Sequence, residues 1–145
     1  MNTKIPSDFI QIPRQSTYSL HIGPMYVPED QTHDSEVVKV GLLLEAIHTG
    51  GPSRGHGGVT LALLDETMGR AASEASGALC VTISMTTNFC ASTSIGDFIC
   101  ASATVTRRGK RIVFVDGELR DSKGKLLSSA TGTWSNTNIP IPGRQ

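Results

Sequence analysis

The hydrophobic period changes near Gly77, and this change constrains the fold more than any other feature of the chain. Before it, apolar residues within 59–72 recur at three- and four-residue steps, which predicts an amphipathic helix that ends near Gly77. After it, residues 81–89 alternate apolar and mostly polar side chains, as in a half-buried strand. Three more strand-like runs follow, joined by glycine-containing turns, at 97–106, 111–120 and 126–135. The pattern predicts one long helix followed by four strands in a meander.

The N-terminal part adds two predicted strands, at residues 17–26 and 37–49. Residues 1–16 carry two prolines and mixed polarity and are expected to form a loosely held arm, while residues 136–145 form an extended tail. We therefore expect a single α+β domain over residues 1–145, with one helix packed on one face of an antiparallel sheet. That layout leaves an edge strand and the other sheet face for another subunit, so oligomerisation is expected.

The composition argues against several classes of function. Thirteen basic and thirteen acidic side chains cancel, so no net charge attracts the chain to nucleic acid or to an anionic membrane. The first residues lack the apolar core of a signal peptide, and no apolar run approaches the length of a membrane span. Cys80, Cys90 and Cys100 match neither a zinc motif nor a paired disulfide framework. We expect a reduced, soluble, cytoplasmic protein without a bound metal ion or cofactor.

Asp65 is the strongest candidate for a functional residue. It follows Leu61 by four positions and precedes Met68 by three, so it projects from the predicted apolar stripe of the helix. Burying an unpaired carboxylate is costly, and chains rarely place one there without a use. The alternatives are a carboxylate satisfied by buried hydrogen bonds or one that faces a wet oligomer interface.

A glycine-rich turn at residues 50–58 leads directly into the predicted helix. A helix N-terminus offers unpaired backbone N–H groups and a partial positive charge, and glycines there let a ligand approach the backbone. Gly57 and Gly58 are therefore candidates for an oxyanion hole, or else they only make the turn tight. The turn matches neither a phosphate-binding loop of the nucleotide hydrolases nor a dinucleotide fingerprint.

These residues carry a resemblance to a known family. The His-Gly-Gly run at 56–58, Asp65 after six intervening residues, and Met-Gly at 68–69 are similar to the helix-start motif of hotdog-fold acyl-CoA thioesterases of the PaaI-like group. The basic hairpin at 107–111, the turn at Gly124 and the run at 130–133 fit the last three strands of that group. The resemblance extends from about residue 23 to residue 134.

The resemblance implies a fold and an assembly. The fold would be a hotdog fold, a curved antiparallel sheet wrapped around one long central helix. Two chains would pair their sheets to form a homodimer, and such dimers often associate further into a homotetramer. Each active site would combine residues of two chains.

The resemblance also implies site residues for acyl-CoA thioester hydrolysis. Asp65 would act as general base or nucleophile, the amides of Gly57 and Gly58 would polarise the carbonyl, and Thr82 would hold the water or the carboxylate. The residues expected to contact substrate are His48, Gly50, His56, Arg107, Arg108, Lys110 and Arg111. Within this set His56 more often caps the helix, and the four cations are either a coenzyme A phosphate site or a solvated turn.

Gly50 is the main departure from the family pattern. Many relatives have an Asn at this position, six residues before the His of the His-Gly-Gly run, and glycine offers no side-chain donor. Ser53 or Arg54 could substitute for it. A non-catalytic acyl-CoA-binding protein is therefore the alternative function. Hydration of an enoyl thioester is disfavoured because its longer Asp and His motif is missing, while acyl-carrier-protein thioesters remain open as substrates.

Overall fold

A long helix packs on a seven-stranded antiparallel sheet in the computed structural model, which describes residues 4–144. The strands are, in chain order, β1 (Phe9–Gln11), β2 (Met25–Pro28), β3 (Val37–Leu43), β4 (Thr49–Gly51), β5 (Arg54–Gly55), β6 (Ala78–Phe89), β7 (Phe98–Arg108), β8 (Ile112–Arg120) and β9 (Leu126–Pro140). The helices are α1 (Thr17–Ile22) and α2 (Gly57–Ser76), with a 3₁₀ turn at Ala46–His48. The predicted α+β layout is confirmed.

The sheet order is β1-β2-β3-β7-β8-β9-β6, and β4 pairs with β5 in a separate small hairpin. Strands β7, β8 and β9 form a meander, as predicted. The expected position of β6 in that meander is wrong, because β6 pairs with β9 at the far edge of the sheet. Periodicity identifies β6 as a strand but carries no information on its partner β9, which is separated from β6 in sequence by the two intervening strands β7 and β8.

Helix α2 begins after His56 and ends at Gly77, which adopts a left-handed conformation with φ of 70°. Glycine takes this conformation without strain and is common at this position. The buried stripe of α2 includes Leu63, Leu64, Met68, Ala71 and Ala72. The predicted stripe was displaced, since Leu61 is exposed. Asp65 therefore lies on the flank of the stripe and not in its centre.

The N-terminal part departs most from prediction. The expected strand at 17–26 is wrong, because Ser16 caps the short helix α1 by accepting a hydrogen bond from Ser19 N (3.1 Å), and only the end of this span enters β2. The expected strand at 37–49 ends at Leu43. The predicted loose arm contains β1, and Gln15 Oε1 accepts from Met25 N (3.1 Å). Residues 1–3 of that arm and residue 145 of the predicted tail lie outside the described residues.

The core lies between α2 and the inner face of the sheet. Its largest fully buried side chain is Trp134 on β9, which is accompanied by Met25, Leu42, Met68 and Ile99. Helix α2 contacts β3, β6, β7 and β8. The long helix is thereby fixed on the sheet, with its first turn and its Asp65 flank left open to the surface.

Candidate active site

Asp65 is held at a fixed position by a side chain from the neighbouring strand. Thr82 Oγ1 on β6 donates a hydrogen bond to Asp65 Oδ1 at 2.5 Å. Asp65 is partly exposed, and both residues line a groove of about 960 Å³. The carboxylate is thus oriented by a hydroxyl while one face remains open to a ligand.

A β-bulge in β6 gives Thr82 this orientation. The register of β6 against β9 shifts between Thr82 and Ser84, which inserts one extra residue into β6. Strict alternation, as predicted for residues 81–89, would place Thr82 and Met85 on opposite faces of the sheet. In the structure Met85 packs against the core, while Thr82 bonds to the helix on the same side. The predicted clean alternation is therefore wrong, and the bulge turns Thr82 toward Asp65.

The Asp65 groove runs along α2 between β6 and two segments that are far apart in sequence. Its floor includes Gly69 and Trp134, and its outer walls come from residues 12–16 and 141–143. Trp134 is buried, yet its Nε1–H has no acceptor among residues 4–144. An unpaired buried donor of this kind is uncommon in folded proteins.

His56 caps the start of α2. Its Nδ1 accepts a hydrogen bond from Gly58 N at 2.8 Å, so the capping role considered from the sequence is realised. Gly58 N–H is consequently engaged inside the protein. Gly57 N–H makes no hydrogen bond within residues 4–144. The helix start therefore presents one free amide, at Gly57.

A second groove, of about 870 Å³, lies at this helix start. Gly50, Arg54, His56, Gly57 and Phe89 are among its lining residues. A Cβ added at Gly50 would lie 2.6 Å from His56 Cα, so this backbone accepts only glycine there. Arg54 also lines the helix-start groove, whereas Ser53 is not in its lining.

Gly57 and Asp65 open into different grooves of one chain. They are eight residues apart on the same helix, which at 1.5 Å per residue is about 12 Å along the axis. The carbonyl group of one thioester therefore cannot contact both the Gly57 N–H and the Asp65 carboxylate of the same chain. A single chain therefore does not bring the expected amide and carboxylate together.

His48 does not lie in either groove. It is 4% exposed, Nδ1 accepts from Glu45 N (2.8 Å), and Nε2 lies 2.6 Å from the carbonyl oxygen of Ile22. Both ring nitrogens are used to hold the 3₁₀ turn against the end of α1. The expected substrate contact of His48 is thus corrected to a structural role.

The basic hairpin lies at the C-terminal end of α2 and outside both grooves. Arg108 Nη1 donates to the carbonyl oxygen of Ala75 at 2.8 Å, in the last turn of the helix, where a cation complements the helix dipole. Arg107, Lys110 and Arg111 are exposed and form no ion pair within residues 4–144. One of the four expected phosphate ligands is therefore also a helix cap.

The described residues contain no group of three His, Cys, Asp or Glu side chains placed to bind a metal ion. Among the same residues, no helix has the length and apolar character to cross a membrane. Sequence reasoning did not single out Trp134 or Arg14, which line the Asp65 groove, and it interpreted Arg70 only as the ion-pair partner of Glu66, a pair that residues 4–144 do not form. No local pattern reveals that these residues share a groove, because the groove is assembled from segments far apart in sequence.

A family model described as the thioesterase superfamily matches residues 55–128. This span is just over half of the chain and includes the helix start, Asp65, Thr82 and the basic hairpin. The chain belongs to the thioesterase superfamily. The family expected from the resemblance is confirmed by this match. No curated protein sequence matches this thioesterase-superfamily chain.

Solved structures confirm the hotdog fold of this superfamily member. The PaaI protein of E. coli, from its phenylacetic acid degradation operon, is 20% identical, with 88% of each chain covered and a TM-score of 0.78. The conserved protein PA5202 of Pseudomonas aeruginosa is 28% identical over 84% of this chain and 94% of its own, with a TM-score of 0.74. The protein smu.793 of Streptococcus mutans, solved bound to acetyl CoA, is 20% identical over 77% of this chain and 89% of its own, with a TM-score of 0.70.

Proposed function

We propose that this protein hydrolyses acyl-CoA thioesters to a free carboxylic acid and coenzyme A. The observation that carries the proposal is Asp65, oriented by Thr82 in an open groove on the central helix of a thioesterase-superfamily fold. Hydrolysis needs a base or nucleophile and a donor for the carbonyl oxygen. Asp65 supplies the first and Gly57 N–H the second.

The two groups meet across a dimer interface in this proposal. Strand β6 is an edge strand of twelve residues whose Val81 and Ile83 are each 54% exposed. A long apolar edge favours pairing with another chain. Pairing of β6 with β6 around a two-fold axis would run the two copies of α2 antiparallel, and it would place Asp65 opposite Gly57 of the partner subunit. The proposed site therefore requires this dimer, and a tetramer built from two such dimers is proposed with it.

The reaction follows from these positions. Asp65 either removes a proton from a water that attacks the thioester carbon or attacks that carbon itself, giving an anhydride that water then opens. The carbonyl oxygen becomes negative in the tetrahedral intermediate and accepts from Gly57 N–H of the partner subunit. The carbon–sulfur bond breaks, the coenzyme A thiolate leaves with the electron pair, and it takes up a proton from solvent.

Coenzyme A as the carrier is supported by charge and by a relative. The exposed cations Arg107, Lys110 and Arg111 suit the nucleotide phosphates, with Arg108 partly committed to the helix end. The structurally similar smu.793 protein of Streptococcus mutans was solved bound to acetyl CoA. Both observations favour a nucleotide-bearing thioester over a bare acyl-pantetheine.

A thiol-release assay over short, medium, long and aromatic acyl-CoA compounds tests the proposal. We expect Asp65→Asn to keep the fold and to lower turnover of the best substrate by about a hundredfold or more, because the amide can neither accept the proton nor attack. Asp116→Asn, an isosteric change of an exposed residue on β8, is the matched control and should leave turnover unchanged. Unchanged turnover in Asp65→Asn would remove Asp65 from the mechanism.

Gly50 favours a second candidate, a non-catalytic acyl-CoA-binding protein with the same grooves. The backbone of His56 leaves no room for a side chain at this position, so an amide donor is not available there. Losing one such donor costs about a hundredfold or more in rate. Calorimetric titration with a non-hydrolysable acyl-CoA analogue, run beside the thiol-release screen, separates the two functions. Tight binding without thiol release for any acyl group supports the binding protein.

A further inference from the structure

Residues 141–144 lie along the Asp65 groove at the end nearest the last turn of α2. They follow β9 directly, and residues 141–143 line the groove together with Asp65. A Cβ added at Gly143 would lie 3.6 Å from Arg14 Nη1, so this segment reaches the opposite wall of the groove. We call residues 141–144 the strap, because they connect the strand side of the groove to that wall.

Few hydrogen bonds hold the strap in this position. The end of β9 before it is well fixed, because Thr137 Oγ1 donates to the carbonyl oxygen of Leu79 at 2.7 Å. Within the strap, the backbone forms one turn bond, from Arg144 N to the carbonyl oxygen of Ile141 at 3.2 Å. The two residues between them are exposed and form no hydrogen bond within residues 4–144. A segment with little burial and few hydrogen bonds opens locally at a low cost in free energy.

The strap is attached to α2 through an ionic cluster around Glu74. Arg144 Nη1 donates to Glu74 Oε2 and to the carbonyl oxygen of the same residue, both at 3.1 Å. His33 Nδ1 lies 2.7 Å from the same Oε2, so the carboxylate also holds the loop between β2 and β3. The side chain of Glu74 is 12% exposed and that of Arg144 is 30% exposed, so water weakens this pair less than a fully exposed one. One carboxylate thus fixes both the strap and a neighbouring loop to the helix.

We propose that the strap is a gate of the Asp65 groove and that the Glu74 cluster holds this gate closed. The two bonds from Arg144 to Glu74 are the only hydrogen bonds between the strap and residues 4–140. Once Arg144 leaves Glu74, the strap moves away from the helix and one wall of the groove opens. Segments of low local stability commonly act as gates in this way. The consequence for catalysis rests on the proposed function, whereas the movement of the strap does not.

Cys80 provides a reporter of the gate that does not depend on activity. This thiol is half-buried and lines the same groove as the strap, whereas the half-buried Cys100 lies outside this groove, on β7. For Arg144→Gln, we expect N-ethylmaleimide to label Cys80 about tenfold faster than in wild type, because the charged hydrogen bonds that keep the gate closed are lost. Labelling of each cysteine is measured by peptide mass spectrometry, and the rate at Cys100 should not change.

Two further variants complete the labelling experiment. Arg144→Lys keeps a cation beside Glu74 and should label Cys80 at an intermediate rate. Arg120→Gln is the matched control, because it makes the same substitution in another arginine–glutamate pair, with Arg120 Nε 2.8 Å from Glu118 Oε1, outside the Asp65 groove. This control should label like wild type.

The labelling rates and the kinetic constants separate the possible results. Faster labelling at Cys80 alone supports the gate, whereas equal acceleration at Cys100 would indicate a general loss of stability and overturn it, as would an unchanged rate at Cys80. In catalysis, we expect Arg144→Gln to raise KM for acyl-CoA severalfold and to leave kcat within about twofold of wild type, because Asp65 keeps its place. A lower kcat with an unchanged KM would contradict a role at the entrance. If wild type hydrolyses no acyl-CoA, the proposed function fails, and the labelling experiment still decides whether the strap is a gate.

Discussion

Gly57 carries the only backbone amide at the start of α2 that remains free among the residues this structure describes, because His56 engages the next one. Because Gly57 is the first residue of the helix, a proline there would remove the N–H group without a change in the fold. Proline is favoured at the first position of a helix, and His56, with φ of −66° and ψ of 138°, has the extended conformation that a following proline requires.

We therefore predict that Gly57→Pro folds normally but lowers kcat for acyl-CoA by about a hundredfold to a thousandfold, since one oxyanion donor is lost. Gly57→Ala keeps the N–H and adds a Cβ at an ordinary 3.5 Å from Phe89, so it should retain most activity. Steady-state kinetics and thermal melting of both variants provide the measurement. Equal activity of the two variants would contradict an oxyanion role.

The three cysteines should differ in reactivity. Burial raises the pKa of the Cys100 thiol to about 11, with Lys39 opposing the shift and Asp8 adding to it. The thiolate is the reactive form, so at pH 8 only about one Cys100 thiol in a thousand is ionised. Cys90 is exposed. We predict that iodoacetamide at pH 8 labels Cys90 well before Cys100, as measured by peptide mass spectrometry. Faster labelling of Cys100 would mean that its surroundings open in solution.

At the residue scale, the candidate site residues that could be predicted are those whose side chains are unusual for their place in the sequence pattern. Asp65 interrupts an apolar stripe, and Gly57 and Gly58 precede a helix, so both features are visible in the sequence. His48, in contrast, resembles a site histidine, because the helix end that buries it was not predicted. The position of Trp134 beneath Gly69, sixty-five positions away in sequence, is one that no local pattern reveals.

The two edges of the sheet differ in their expected behaviour. The edge formed by β6 is long and apolar, whereas β1 at the opposite edge has three residues. Burying an isoleucine contributes about 1.5–3 kcal/mol to the free energy of association. A two-fold interface contains the same residue from both subunits, so one substitution removes this contribution twice. We predict that Ile83→Lys weakens the proposed dimer by at least about a hundredfold in Kd. Sedimentation velocity over a concentration series measures this change.

The other sheet edge provides the control for this experiment. Ile10 on β1 is 45% exposed, close to the exposure of Ile83, so Ile10→Lys introduces the same charge at a similar surface position. This variant should associate like wild type. Unchanged association of Ile83→Lys would exclude β6 as the interface, and loss of association in both variants would point to a general charge effect.

At the element scale, hydrophobic periodicity predicted the strand pairing correctly where the paired strands are close in sequence. Helix α2 and strands β7, β8 and β9 were predicted from their hydrophobic patterns, and β8 pairs with both of its sequence neighbours, β7 and β9. The placement of β6 failed because its partner follows two intervening strands. The bulge at Ile83 and the short helix α1 were missed because each depends on a local hydrogen bond or a register shift and not on a run of apolar residues.

The whole molecule is expected to work only as an assembly, and complementation between inactive subunits tests this directly. Asp65→Asn subunits retain Gly57, and Gly57→Pro subunits retain Asp65. A mixed dimer then contains one site with both native groups and one with neither. We predict that an equal mixture, unfolded and refolded together, recovers about a quarter of wild-type activity, because half of the dimers are mixed.

Each variant refolded alone is the control for this experiment and should stay inactive. Recovery of activity in the mixture cannot come from a site contained within one chain. An inactive mixture that has formed mixed dimers, as verified by native mass spectrometry, would contradict a shared site. The measurement therefore separates a composite site from an oligomer that only stabilises the fold.

Residues 12–16 and 141–143 flank the same groove, so two segments that are far apart in sequence converge beside Asp65. A truncation or insertion that displaces either segment would therefore change the walls of the groove. Kinetic constants measured on such a variant would report the displaced segment as well as the substituted residue.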